Sequence, residues 1–131
     1  MLKNLFLTVL LLQPLTASAH SPLASSFPKN GEKLDVPPSE IVMVFKSPAK
    51  LIRISLAASS EKQRKSRLGR LFGGRDGELI VLDTSSLMTI GKRHTISLPP
   101  LGRGDYLFSW RALGEDAHVI KGELNFTIAG V

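Results

Sequence analysis

The chain has 131 residues, 43% of them hydrophobic and 21% charged, a balance that excludes a disordered protein because enough apolar surface exists to offset the entropy lost on folding. It contains no cysteine, so disulfides and thiolate metal sites are excluded, and a metal would have to be held by nitrogen, oxygen or thioether donors. The formal charge of +6 is concentrated, with Lys62, Arg64, Lys65, Arg67, Arg70 and Arg75 in one stretch broken by Gly69, Gly73 and Gly74, which reads as a solvated loop or, alternatively, as a contact for an acidic lipid or anionic partner.

At the amino end Lys3 precedes the apolar run 5–12, Pro14 follows, and Ala17-Ser18-Ala19 completes a small-residue cleavage pattern. These are the parts of a secretory signal peptide, and the run is too short to span a bilayer comfortably. Residues 1–19 are therefore expected to be removed, leaving 20–131 as one exported domain with a formal charge of about +5. Export makes nucleic acid a poor partner. No second apolar span follows, so the mature chain is expected to be soluble.

Read for period, the mature region is a series of short strands. Residues 23–27 give a first strand, and 41–45 (IVMVF), bounded by Pro37-Pro38 and Pro48, a buried second. In residues 51–56, alternation places Ile52, Ile54 and Leu56 on one face and Arg53 and Ser55 on the other. Residues 59–77 read as a loop with at most one helical turn, since their glycines oppose a longer helix. Strands at 78–82, 94–98, 106–112 and 122–129 complete a set of about seven, with Leu124, Phe126 and Ile128 sharing one face of the last. Such spacing predicts an all-β sandwich rather than a βαβ fold.

Three histidines can do chemistry. Cleavage after Ala19 would leave His20 with both an imidazole and a free α-amine, two nitrogens that can chelate one ion, and copper(II) favours tetragonal nitrogen and oxygen donors. Asp116 and His118 are separated by one residue, so in extended chain they present an oxygen and a nitrogen in one direction. An isolated Asp-x-His is more simply a turn aspartate beside an exposed histidine; its coupling to His20 makes it a candidate site. His94, next to Lys92 and Arg93, reads as a surface histidine, because neighbouring cations disfavour another bound cation. Trp110, the sole tryptophan, reads as core packing.

These residues resemble the CopC-like copper-resistance proteins of the bacterial periplasm. The likeness rests on His20 and the stretch 23–34 (LASSFPKNGEKL), on Pro38 and the strand ending at Phe45, and on Gly104-Asp105-Tyr106, Trp110-Arg111, Asp116-Ala117-His118, Gly122 and Phe126. The resemblance implies an immunoglobulin-like β-sandwich, or Greek-key barrel. It also implies copper(II) held by the amine and imidazole of His20, by Asp116 and by His118, and a CopD-like integral membrane protein as partner. Some members bind copper(I) through a methionine-rich segment, but here the mature chain offers only Met43 and Met88, so no copper(I) site is expected.

Three function classes remain open at this point. The first is a non-catalytic copper(II) binder for sequestration, resistance or delivery. An oxidative enzyme using an N-terminal histidine brace would need an open coordination position that Asp116 would occupy. A metal-free immunoglobulin-like interaction module would bind no copper at all.

Overall fold

The computed structural model describes residues 22–59 and 78–130, in which the chain forms seven strands and no helix. In chain order these are β1 (Leu23–Phe27), β2 (Glu32–Leu34), β3 (Glu40–Ser59), β4 (Glu78–Ile80), β5 (Ile90–Ser97), β6 (Gly104–Gly114) and β7 (Val119–Ile128). The expected signal peptide, residues 1–19, and the basic stretch between Lys62 and Arg75 lie outside the described residues.

The spine is β3, twenty residues long. The two strands expected at 41–45 and 51–56 are halves of it, and the chain passes through Pro48 without ending. Pro48 is tolerated because it falls where the β3–β5 ladder is irregular, between the pairs Val44–Arg93 and Ala49–Gly91; a residue without an N–H fits where no ladder bond is required. A second irregularity, between Leu51 and Arg53 in the pairing with β6, skips Ile52. The bulge shifts the alternation by one residue. Leu51 is therefore fully buried while Ile52 is only half-buried, so the inward face is Leu51, Ile54 and Leu56 rather than the expected Ile52, Ile54 and Leu56.

The two edges of β3 set the topology. Val42 pairs with Phe27 of β1 and with Thr95 of β5, so these strands flank β3 on opposite sides. Ala49 pairs with Gly91 of β5 and Gly114 of β6, again on opposite sides. Hence β1 and β6 succeed one another along one edge of β3, and β5 and β4 along the other. Beyond β6 the sheet continues through antiparallel β7 to β2, which joins β7 in parallel as Glu32–Phe126 to Leu34–Ile128, and β2 is a strand that the alternation did not reveal.

The curled sheet closes on one apolar interior. Its members include Ile41, Met43, Phe45 and Leu56 from β3, Ile96 from β5, Phe108, Trp110 and Ala112 from β6, and Leu124, Phe126 and Ile128 from β7. Phe108 and Phe126 are fully buried, and each such side chain contributes about 1.5–3 kcal/mol relative to an exposed one. Met43 is also fully buried. At the start of β6 the Tyr106 hydroxyl donates to Gly102 O at 2.6 Å, and the ring stacks on Phe126 with centroids 5.3 Å apart. A tyrosine bonding back to the backbone just upstream is a corner device of immunoglobulin-like sandwiches. On the other side, the turn 28–31 is tied to β7, because Gly31 N donates to Asn125 O at 2.7 Å and Asn125 N to the Asn30 side chain at 2.9 Å.

Candidate metal centre

Asp116 and His118 stand on the hairpin joining β6 to β7. The Ala117 N–H donates to Gly114 O at 3.1 Å and the Gly114 N–H to His118 O at 2.9 Å, which closes a tight loop. Closing it requires a left-handed residue, and Ala117 has φ +64°, a conformation that costs an L side chain about 1–2 kcal/mol. Asp116 holds the loop with both carboxylate oxygens: Oδ1 accepts the His118 backbone N–H at 3.1 Å, and Oδ2 accepts from the His118 ring at Nδ1, 2.8 Å away.

The pair is open to solvent, with 82% of the His118 side chain and 70% of the Asp116 side chain exposed. The hydrogen bond from the imidazole, and then the one from the backbone, hold the Asp116 carboxyl below its usual range. The same side-chain bond, helped by the carboxylate's charge, raises the His118 imidazole above 6.5. With Nδ1 engaged, His118 keeps Nε2 for another partner, the arrangement in which a carboxylate orients a ligating histidine. Among the described residues no three His, Asp or Glu side chains gather around one point. Glu115, exposed in the same turn, is not drawn in. The hairpin supplies two donors, and a tightly held ion would need others.

The edge order of β3 bears on where others would come from. The Lys46 N–H donates to Pro22 O at 3.0 Å, Leu23 pairs with Phe45, and the hairpin's Gly114 pairs with Ala49. Because β1 runs antiparallel to β3, the chain traced backward from Leu23 to Pro22 advances along β3 toward Ala49, on the edge that β6 occupies next. The interval from Lys46 to Ala49 is about 10 Å at strand rise. His20, two residues upstream of Pro22, lies outside the described residues.

His94 is not a surface residue. It is 3% exposed, with Nε2 2.9 Å from Ala49 O and 2.8 Å from Gly91 O, and its ring meets Phe45 edge-on at 5.5 Å. The imidazole ties together the two strands beside the β3 irregularity, immediately across β3 from the hairpin. Alternation through β5, with Arg93 and Thr95 outward and His94 and Ile96 inward, was the signal for this. The adjacent cations obscured it. Trp110 is core, as expected, 3% exposed and edge-on to Phe45 at 5.2 Å, though its indole N–H has no partner among the described residues. Its ring lies over Gly122, where a Cβ would come within 2.6 Å of it.

On the outer face of β3, β6 and β7 lies an open groove of about 810 Å³. Its walls include Arg53, Ser55, Ser109, Arg111, Lys121 and Glu123, and neither Asp116 nor His118 borders it.

The described residues form a Greek-key barrel of strands alone, with one long strand shared between its two halves, which places the chain among small β-sandwich proteins. The chain belongs to the CopC family: the CopC domain model matches residues 23–129. Similar solved structures are a CopC from Methylosinus trichosporium OB3b and PcoC, a copper resistance protein from Escherichia coli. The first has 19% identity and a TM-score of 0.58, covering 85% of this chain and 95% of its own. A PcoC structure has 23% identity and a TM-score of 0.58, covering 84% and 99%; PcoC is described as methionine-rich. At such identities the likeness is one of fold. No curated protein matches the sequence.

Proposed function

We propose that this chain is a periplasmic copper(II)-binding protein, exported by cleavage after Ala19, that sequesters copper or delivers it to a membrane partner of the CopD kind and carries out no catalysis. The ligands are the α-amine and imidazole of His20, the Asp116 carboxylate and the His118 imidazole. The observation that carries this reading is the order of strands along one edge of β3, where the step from Leu23 back to Pro22 runs toward the end of the strand that pairs with the hairpin bearing Asp116 and His118. Two residues span at most about 7 Å, so an extended backbone from Pro22 together with the His20 side chain would be needed to cover the interval of about 10 Å to the hairpin. Family membership and the copper-resistance role of PcoC support the choice of metal. The donor set, nitrogen and carboxylate without sulfur, is one that copper(II) accepts in tetragonal geometry. Methionine sites for copper(I) gain no support, because Met43 is fully buried and Met88 stands by itself on the surface.

The experiment compares protein beginning at His20 with protein carrying one extra glycine before it. The extension turns the amine into an amide and leaves the imidazole, so copper(II) affinity should fall by orders of magnitude and the electron paramagnetic resonance spectrum should lose nitrogen donors. Identical affinity and spectra for the two proteins would remove the terminal amine from the site. His118→Ala should also weaken binding greatly, and unchanged binding there would remove the hairpin.

A further inference from the structure

The register of the main sheet sets three cations side by side. Arg53 of β3 pairs directly with Arg111 of β6, and Arg111 pairs directly with Lys121 of β7. All three are exposed on the outer face, across three adjacent strands. Like charges directly opposite one another destabilise a sheet, and no ion pair joins a described carboxylate to any of the three, although Glu123 lies on the same face two residues beyond Lys121. The row lies in the wall of the 810 Å³ groove, beside Ser55 and Ser109. It is separate from the hairpin, whose Asp116 and His118 do not border the groove.

We infer that the row Arg53, Arg111 and Lys121 is a docking site for a carboxylate-rich segment of a partner polypeptide. Adjacent strands are about 4.8 Å apart, so the three stems span about 10 Å. Alternate side chains on one face of an extended peptide recur about every 6.8 Å, so two neighbouring carboxylates fall within the row's reach. Guanidinium groups take carboxylates through paired hydrogen bonds, and two of the three cations are arginines. A second copy of this chain is disfavoured as the occupant by its own net positive charge, +6 over the full sequence and still positive without Lys3. A bilayer is disfavoured by shape, because the cations line a concave groove, with the carboxylates of Asp105 and Glu123 beside Leu79 and Leu107, rather than crown a convex tip.

The test uses metal-free protein and so stands apart from the copper reading. A hexaglutamate peptide blocked at both ends is titrated in, with Trp110 emission and calorimetry as readouts. Saturable one-to-one binding is expected, weakening at least tenfold when salt is raised to about 0.5 M, where screening acts within a few ångströms. The variant R53Q/R111Q/K121Q should lose at least tenfold in affinity and melt no lower than the wild type, since a repulsion has been removed. The variant K29Q/K33Q/K92Q, with the same charge change elsewhere, should stay within twofold. Equal losses in the two variants would reduce the effect to net charge and overturn the site. A markedly lower melting temperature for the first variant would make the row structural. Binding to phosphatidylglycerol vesicles that depends on the row, without peptide binding, would make it a lipid surface and overturn the proposal.

Discussion

Replacing His94 with alanine tests whether the irregular centre of β3 depends on a buried imidazole. The substitution removes one N–H shared between Ala49 O and Gly91 O, at 2.9 and 2.8 Å, and an edge-on contact with Phe45 at 5.5 Å. Losing the hydrogen bond and leaving buried carbonyl groups short of a donor costs about 1–3 kcal/mol. The aromatic contact adds about 0.5–1.5 kcal/mol, and the space left by the ring adds more because a packed interior closes only partly. A loss of about 3–4 kcal/mol is a large share of a stability of 5–15 kcal/mol. With a urea slope of about 1–3 kcal/mol per molar, the midpoint should fall by about 2 M, followed through Trp110 emission. His94→Gln, which restores an amide donor, should recover about 1 kcal/mol. A His94→Ala midpoint within about 0.3 M of the wild type would refute the assignment of His94 as a brace.

Ala117→Gly removes the cost of φ +64° in an alanine and, after the extra chain entropy of glycine is subtracted, should stabilise by about 0.5–1 kcal/mol in thermal melts. Gly122→Ala places a Cβ 2.6 Å from Trp110 Cζ2 and 2.8 Å from Cε2, so it should destabilise by about 1–3 kcal/mol and shift the indole emission, as overpacking does. In metal-free protein the His118 imidazole, raised by Asp116, should titrate above 6.5 by nuclear magnetic resonance, and Asp116→Asn should bring it back toward that value. The sign of the linkage follows: the stabilisation tied to His118 is full below its unfolded value and fades as pH rises through the raised one, whereas that tied to Asp116 is present above 3.8 and fades as pH falls through its lowered value. Acidifying below the Asp116 range should therefore loosen the hairpin.

Most strands were legible because period two is a local signal, as in Leu124, Phe126 and Ile128, which are buried as read. What alternation cannot show is pairing. A three-residue strand such as β2 has too little sequence to display a period, and it exists because its backbone lies beside β7. The bulge at Ile52 displaces a face by one residue through the pairing of Arg53 with Arg111, which no local pattern records. Reading Pro48 as a strand end treated the missing N–H as a break, whereas the neighbouring ladder simply leaves that position unbonded. Asp116 and His118 do meet, but not for the reason their spacing suggested: the chain there is a tight turn rather than extended, and left-handed Ala117 brings the two side chains into a direct hydrogen bond. The cation row was invisible in sequence, since Arg53, Arg111 and Lys121 are far apart along the chain and meet only through register.

The interval between β1 and β6 on the edge of β3 also bears on self-association. An interrupted ladder ordinarily leaves backbone donors that a strand from another molecule can recruit, and exposed edges of this kind seed aggregates. Here the Lys46 N–H is already bonded to Pro22 O, Pro48 has no N–H to offer, and the Lys46 side chain is exposed. Proline and lysine are residues with which natural sheets blunt an edge. Among the described residues, this gap in the hydrogen-bonded wall therefore offers little to a foreign strand.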